Sequence, residues 1–233
     1  MNIFSRLQGV FFNPKETFNF LSKKPYWLDA LIIVLIAFTL FSYLAAPYQR
    51  QDSIQVWENS TKLRETLGEE AYLERIEQIK NPSQLQKVLG IVLAPLGLSI
   101  GLLISSLILL LMGRIGSLEG KYVQVFSALV HANFLDKILG NAIRIFLIFS
   151  KKSVMQTTTS LAILFPNLDY TSNTYIVLSQ FDLFQLWLFG ILAFGLSAIF
   201  KISLKRAMII SYGFWLLKSL LNIAMLMLSM RFV

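Results

Sequence analysis

The chain has 233 residues, 55% hydrophobic and 15% charged, with a formal net charge of +8, no cysteine and one histidine. Soluble domains carry roughly a quarter charged residues, so the surplus apolar side chains call for lipid as solvent. The absent cysteines and lone His131 exclude a disulfide framework and a thiolate or imidazole-rich metal site, and the basic residues lie beside apolar runs instead of on a polar segment that could meet nucleic-acid phosphates.

Residues 1–26 read as a cytoplasmic, interfacial amphipathic segment. Ile3, Leu7, Val10 and Phe11 recur at helical spacing opposite Arg6 and Gln8, the pattern of a helix lying on the membrane surface. A second helix starts at Asn13-Pro14, with Asn13 as N-cap, Pro14 at the first position and Glu16 where a capping box places its acid. Tyr26 and Trp27 mark the entry into the bilayer. The first apolar run begins only there, after Arg6, Lys15, Lys23 and Lys24, and is too long for a signal peptide, so no cleaved leader is expected.

A bilayer core of about 30 Å needs roughly 20 apolar helical residues. Apolar runs therefore predict an all-α, polytopic transmembrane bundle over residues 27–232, with five spans at about 27–46, 88–113, 122–149, 183–200 and 207–230. The third carries His131, Asp136, Lys137 and Arg144, so its uninterrupted halves are each too short to cross alone. Between the first two spans, the external loop 47–87 reads as a helix from Ile54 to Ile79. Leu63, Leu67, Ala71, Tyr72, Ile76 and Ile79 form its apolar stripe, which would rest on the outer membrane surface or dock an extracytoplasmic partner. Lysine and arginine are retained on the cytoplasmic side. Arg6, Lys15, Lys23, Lys24, Arg114, Lys121, Lys201, Lys205 and Arg206 then place the N-terminus inside and, after five spans, the C-terminus outside with Arg231, Phe232 and Val233.

In the second span, Ala94, Gly97, Gly101 and Ser105 form a stripe of small residues on which another helix can pack closely, within the chain or in a homodimer. Pro95 should kink this helix. The third span sets Asn133, Lys137, Asn141 and Arg144 along one face, with Asp136 about 100° around it. A charge at the bilayer centre costs at least about 2.5 kcal/mol, so this polar stripe should face protein or water, either as a path for ion, substrate or lipid headgroup or as internal ion pairs. Lys218 lies deep in the fifth span and should meet an acidic or carbonyl partner, Asp136 first. Asp29 and Asp182 open helices and read as caps, and His131 as an interhelical hydrogen-bonded residue.

No zinc-protease, nucleophile-elbow or phosphate-loop signature occurs, so neither an enzyme, a cofactor nor a metal is expected. Four stretches resemble the Yip (Ypt-interacting protein) family of five-span membrane proteins: Phe12 to Phe18 followed by Trp27; Ser83 to Lys87 leading into the span with Pro95; Gly120 to Val130; and Phe181 to Trp187. The resemblance implies five spans with a cytoplasmic N-terminus and a very short external tail. Eukaryotic members bind Rab-type GTPases through a longer N-terminal region. The short segment here is similar to bacterial members, so GTPase binding is not carried over and no catalytic residues are defined. The combined expectation is an accessory or scaffolding protein of the bacterial inner membrane that binds the bilayer and another membrane protein, such as an ABC-type exporter, or itself. The alternative is a small transporter, channel or lipid-moving protein using the third-span stripe.

Overall fold

The computed structural model describes residues 1–155, 159–170 and 172–231, the side chains of Lys62, Ser229, Met230 and Arg231 excepted. Among them, regular structure is helical apart from an isolated bridge pairing Ser160 with Asp182. The chain opens with α1 (Ile3–Phe12), whose N-cap Asn2 accepts from the Ser5 amide, and α2 (Pro14–Lys23), with Pro14 at its first position. Asn13 does not cap α2: its side-chain amide donates to the Glu16 carboxylate instead, at 2.5 Å. Then come α3 (Leu28–Glu58), α4 (Thr61–Leu67), α5 (Glu69–Lys80) and α6 (Gln84–Arg114). Helix α7 (Tyr122–Asn133) passes through a π-helical run, Phe134–Gly140, into α8 (Asn141–Lys151). A 3-10 turn (Leu161–Leu164), α9 (Asn173–Ser179), α10 (Leu183–Phe200) and α11 (Leu204–Arg231) complete the order.

Helices α3, α6, α10 and α11 are long and apolar enough to cross a membrane. The expected third span is the α7–π–α8 run, whose charged residues fall in and after the π segment. Both internal prolines, Pro47 in α3 and Pro95 in α6, sit within helix. The expected tail residues Phe232 and Val233 lie outside the described residues.

The chain divides into two units. The first comprises Met1–Phe38, Pro95–Asn141 and Leu183–Leu220. Its centre is α10, which buries a broad face including Leu188, Leu192, Leu196 and Phe200 and packs against α2 and α7. Gly195 makes this packing possible, since a Cβ there would stand 2.9 Å from that of Ala128 and 3.0 Å from the Phe18 ring. The two N-terminal helices pack on α7, the π-helical run and α10. Val10 and Phe18 are fully buried, and Arg6, assigned to the polar face by periodicity, is only 2% exposed. Arg6 pairs with Asp29 and stacks 5.1 Å from the Tyr26 ring centroid. A guanidinium can be buried when a carboxylate meets it, and a periodicity count does not see that partner.

The second unit comprises Thr39–Ala94, Ala142–Asp182 and Leu221–Val233. The single loop helix expected over 54–79 is divided, because Gly68 adopts φ +79° and ψ 158°, backbone that an L side chain rarely enters. Helices α4 and α5 fold on each other instead, burying Leu63, Tyr72 and Ile76 against Trp57. Leu67 and Ala71, counted in the stripe, are exposed. The Tyr72 hydroxyl donates to the Trp57 carbonyl at 2.9 Å. Asp52, near the end of α3, accepts from the Ser153 hydroxyl (3.1 Å) and the amides of Val154 (2.6 Å) and Met155 (3.0 Å).

Candidate functional site

The polar residues of the third rod are distributed by its π-helical run. In π geometry the backbone bonds from i to i+5, so each turn holds more residues than an α turn and the face downstream is rotated. Asn133 and Lys137 consequently share one wall, whereas Arg144, expected on the same stripe, serves the second unit. There its guanidinium donates to both carboxylate oxygens of Asp182 (3.0 and 3.1 Å) and to the Thr159 hydroxyl (3.1 Å), which in turn donates to Asp182. Asp182 is therefore an ion-pair partner as well as the residue opening α10. Asp29 likewise pairs with Arg6, and its other oxygen accepts from the Ala30 amide at 2.8 Å. Asn141 is buried beside the end of the π run.

Within the first unit, α6, the third rod, α10 and α11 enclose a cavity of about 250 Å³. Its polar lining is Ser105, Asn133, Lys137, Gln185 and Lys218, and Gly97 and Gly101 complete the α6 side. Lys137 Nζ lies 2.7 Å from Asp136 Oδ2 and 5.4 Å from the Phe38 ring centroid. Asp136 itself is buried. Lys218 Nζ donates to Gln185 Oε1 at 3.1 Å and lies 5.8 Å from the Phe189 ring. Asp136 pairs with its own neighbour Lys137, and a side-chain carbonyl, one of the two partner types expected, meets Lys218. Aromatic faces and amide oxygens are effective partners for an ammonium group at low dielectric. Asn133 Nδ2 donates to the Leu129 carbonyl at 2.8 Å.

The stripe of small residues differs from the packing seam expected of it. A Cβ added at Gly97 or Gly101 would meet nothing within 4 Å, so no helix of the unit closes on these positions. Both glycines are exposed. Ala94 belongs to the second unit and Ser105 lines the cavity. Close approach occurs instead at glycines that belong to no repeated pattern, at Gly195 and also at Gly190, where a Cβ would stand 2.9 Å from the Tyr212 hydroxyl.

His131 is fully buried, and its Nδ1–H donates within its own helix to the Ser127 carbonyl at 2.8 Å, with the ring edge-on to Phe134. The interhelical bond expected of it is not present: Nε2 has no partner among the described residues. No group of three or more His, Cys, Asp or Glu that could hold a metal ion occurs among the described residues. Sequence reasoning missed Gln185 and Arg6. Gln185 carried a signal, as a polar amide within the apolar run that opens the fourth span.

The cavity is lined by two ammonium groups, two amides and a hydroxyl, and the ammonium groups can hold an anionic group by charge and hydrogen bonding. The family model for the Yip1 domain matches residues 9–226. Neither a search of curated proteins nor a search of solved structures yields a match.

Proposed function

The chain belongs to the Yip1-domain family, and from that premise we propose that this membrane protein is an accessory or scaffolding component that holds other membrane proteins in place. One observation carries the reading: the α6 face with Gly97 and Gly101 is open, with space for a neighbour at both glycines. In lipid no hydrophobic force drives helices together, so association draws on backbone approach and van der Waals contact, which glycine faces supply. The partner is a second membrane protein, an ABC-type exporter being one such, in a bacterial inner membrane with the N-terminus cytoplasmic. GTPase binding is not part of the reading, and neither is catalysis.

Crosslinking and mass spectrometry on native membranes test it. Gly97→Leu/Gly101→Leu should abolish a stable co-purifying complex that the unaltered chain forms. An unchanged complex would refute the use of this face. The cavity lysines favour a second reading, transport or lipid movement. It predicts flux in proteoliposomes that falls when Lys137 is neutralised, and scaffolding predicts no flux.

A further inference from the structure

The cavity lies toward one end of α10, where Gln185, Leu188 and Phe189 in the first two turns of that 18-residue helix form its wall. Gln185 and Lys218 stand about 15 and about 14 residues from the turn that joins α10 to α11, roughly 21–23 Å at about 1.5 Å per helical residue. Lys201, Lys205 and Arg206 mark that turn as one membrane boundary. In a hydrocarbon core of about 30 Å, the polar lining then sits about 8 Å short of the opposite boundary, a gap that an extended lysine and a lipid headgroup close from its two sides. Two ammonium groups line the cavity, and among the described residues no carboxylate does. Asp136 balances one of them, Lys137, whereas Gln185 Oε1 and the Phe189 ring, which face Lys218, carry no formal charge. The lining also holds a donor and an acceptor that make no hydrogen bond to any described group. Ser99 and Ser106 each donate to the carbonyl four residues back, at 2.9 and 2.8 Å, but the Ser105 hydroxyl does not. Asn133, 6% exposed, uses Nδ2 on the Leu129 carbonyl, and its Oδ1 accepts from no described group.

We propose that this cavity holds the headgroup of one anionic phospholipid of the phosphatidylglycerol type, drawn from the leaflet opposite the basic α10–α11 turn. Lys218, Lys137 and the Ser105 hydroxyl donate to its phosphate oxygens, and a headgroup hydroxyl donates to Asn133 Oδ1. Basic pockets between membrane helices suit lipid headgroups, and charge-assisted bonds to phosphate are roughly twice as strong as neutral ones. Charge selects an anionic lipid over a zwitterionic one, because a single negative charge matches the one positive charge that Asp136 leaves over. Asn133 Oδ1 selects a headgroup that carries a hydroxyl, since a carbonyl oxygen is an acceptor and cannot pair with a phosphate oxygen. The held lipid goes beyond the scaffolding reading, and nothing in it requires a partner protein.

The full chain, purified in a neutral detergent, is equilibrated with an equimolar lipid mixture, and the lipids it retains are counted by native mass spectrometry. One phosphatidylglycerol should be held about tenfold over phosphatidylcholine, and about threefold over phosphatidylmethanol, which has the same charge and no hydroxyl. Lys218 is exposed, so Lys218→Gln leaves the packing alone; it should remove most of the first preference, and Lys218→Arg should keep it. Asn133→Leu should remove only the second preference. Lys205→Gln, at the basic turn, should leave both unchanged. Equal retention of phosphatidylglycerol and phosphatidylcholine overturns the proposal. So does a loss on Lys205→Gln as large as that on Lys218→Gln, which would assign the lipid to the general positive charge of the chain. Equal retention of phosphatidylglycerol and phosphatidylmethanol overturns the choice of headgroup. Release of the lipid by millimolar inorganic phosphate also overturns the proposal, assigning the cavity to a soluble anion. Because only chain and lipid are present, each of these failures leaves the scaffolding face on α6 standing.

Discussion

Arg144 and Asp182 form a forked ion pair closed by Thr159, and both side chains are largely buried. A buried charge left without its partner costs far more than the pair is worth net. Arg144→Leu should therefore destabilise the protein by about 3 kcal/mol, read as a lower denaturation midpoint in detergent micelles, and Arg144→Leu/Asp182→Leu should recover most of that loss. Two equally damaging, additive replacements would contradict it. Tyr175 gives a pH-dependent counterpart. Its hydroxyl donates to the Met155 carbonyl at 2.9 Å, and burial, with smaller contributions from Tyr170 and Asp52, pushes the phenol above its ordinary value. The folded chain thus holds this proton more tightly than the unfolded chain, so stability is retained below the ordinary tyrosine pKa of about 10 and lost as pH rises beyond it. Tyr175→Phe should flatten that alkaline decline at a cost of about 1 kcal/mol near neutral pH, measurable as midpoint against pH for both proteins.

Among the elements, α10 depends on the absence of a side chain at Gly195. Ala128 presents a Cβ that cannot swing aside, so Gly195→Ala overpacks the α2–α7–α10 junction and should cost about 1–3 kcal/mol. The α4–α5 hairpin is a separate case, because its core is only Leu63, Tyr72, Ile76 and Trp57. Gly68→Val forces a branched side chain into φ +79° and should cost about 1–3 kcal/mol locally. Hydrogen exchange should then speed up over residues 61–80 and stay slow in α7 and α10; slowed or unchanged exchange in the hairpin would contradict the turn's role. The π run sets the third rod's two faces. Deleting Ile138 should rotate α8 by about 100° and carry Arg144 away from Asp182, and disulfide trapping between Arg144→Cys and Asp182→Cys, efficient with the run intact, should fail in the deletion.

For the whole molecule, the number of crossings decides where the ends lie. Reporter tags at Met1 and after Val233 should fall on opposite sides if the α7–π–α8 rod crosses along with α3, α6, α10 and α11, and on the same side if only those four cross. The all-helical membrane architecture was legible because long apolar runs leave a backbone in lipid few other ways to satisfy its hydrogen bonds. The polar residues were legible one by one, as charges where charge is expensive. Their partners were not, since Lys218 with Gln185 and Arg6 with Asp29 are long-range meetings that one helix's periodicity does not encode. The α-helical period also misplaced Arg144, because a π run leaves no clear mark in composition. The apolar face of the N-terminal helices was legible, but that α7 and α10 cover it was not, because amphipathicity tells which face is apolar and not what covers it.

The docking of Phe18 beside Gly195 also has a timetable. A ribosome adding about 5–20 residues per second releases α2 on the order of ten to forty seconds before α10 exists to receive it. Until then the newborn α1 and α2 have only α7 and the π run to rest on, with the face that α10 will cover open to proteases and chaperones. Maturation of the first unit is therefore gated by the late synthesis of α10, and nascent chains stalled before it should be clipped near their beginning while finished ones resist.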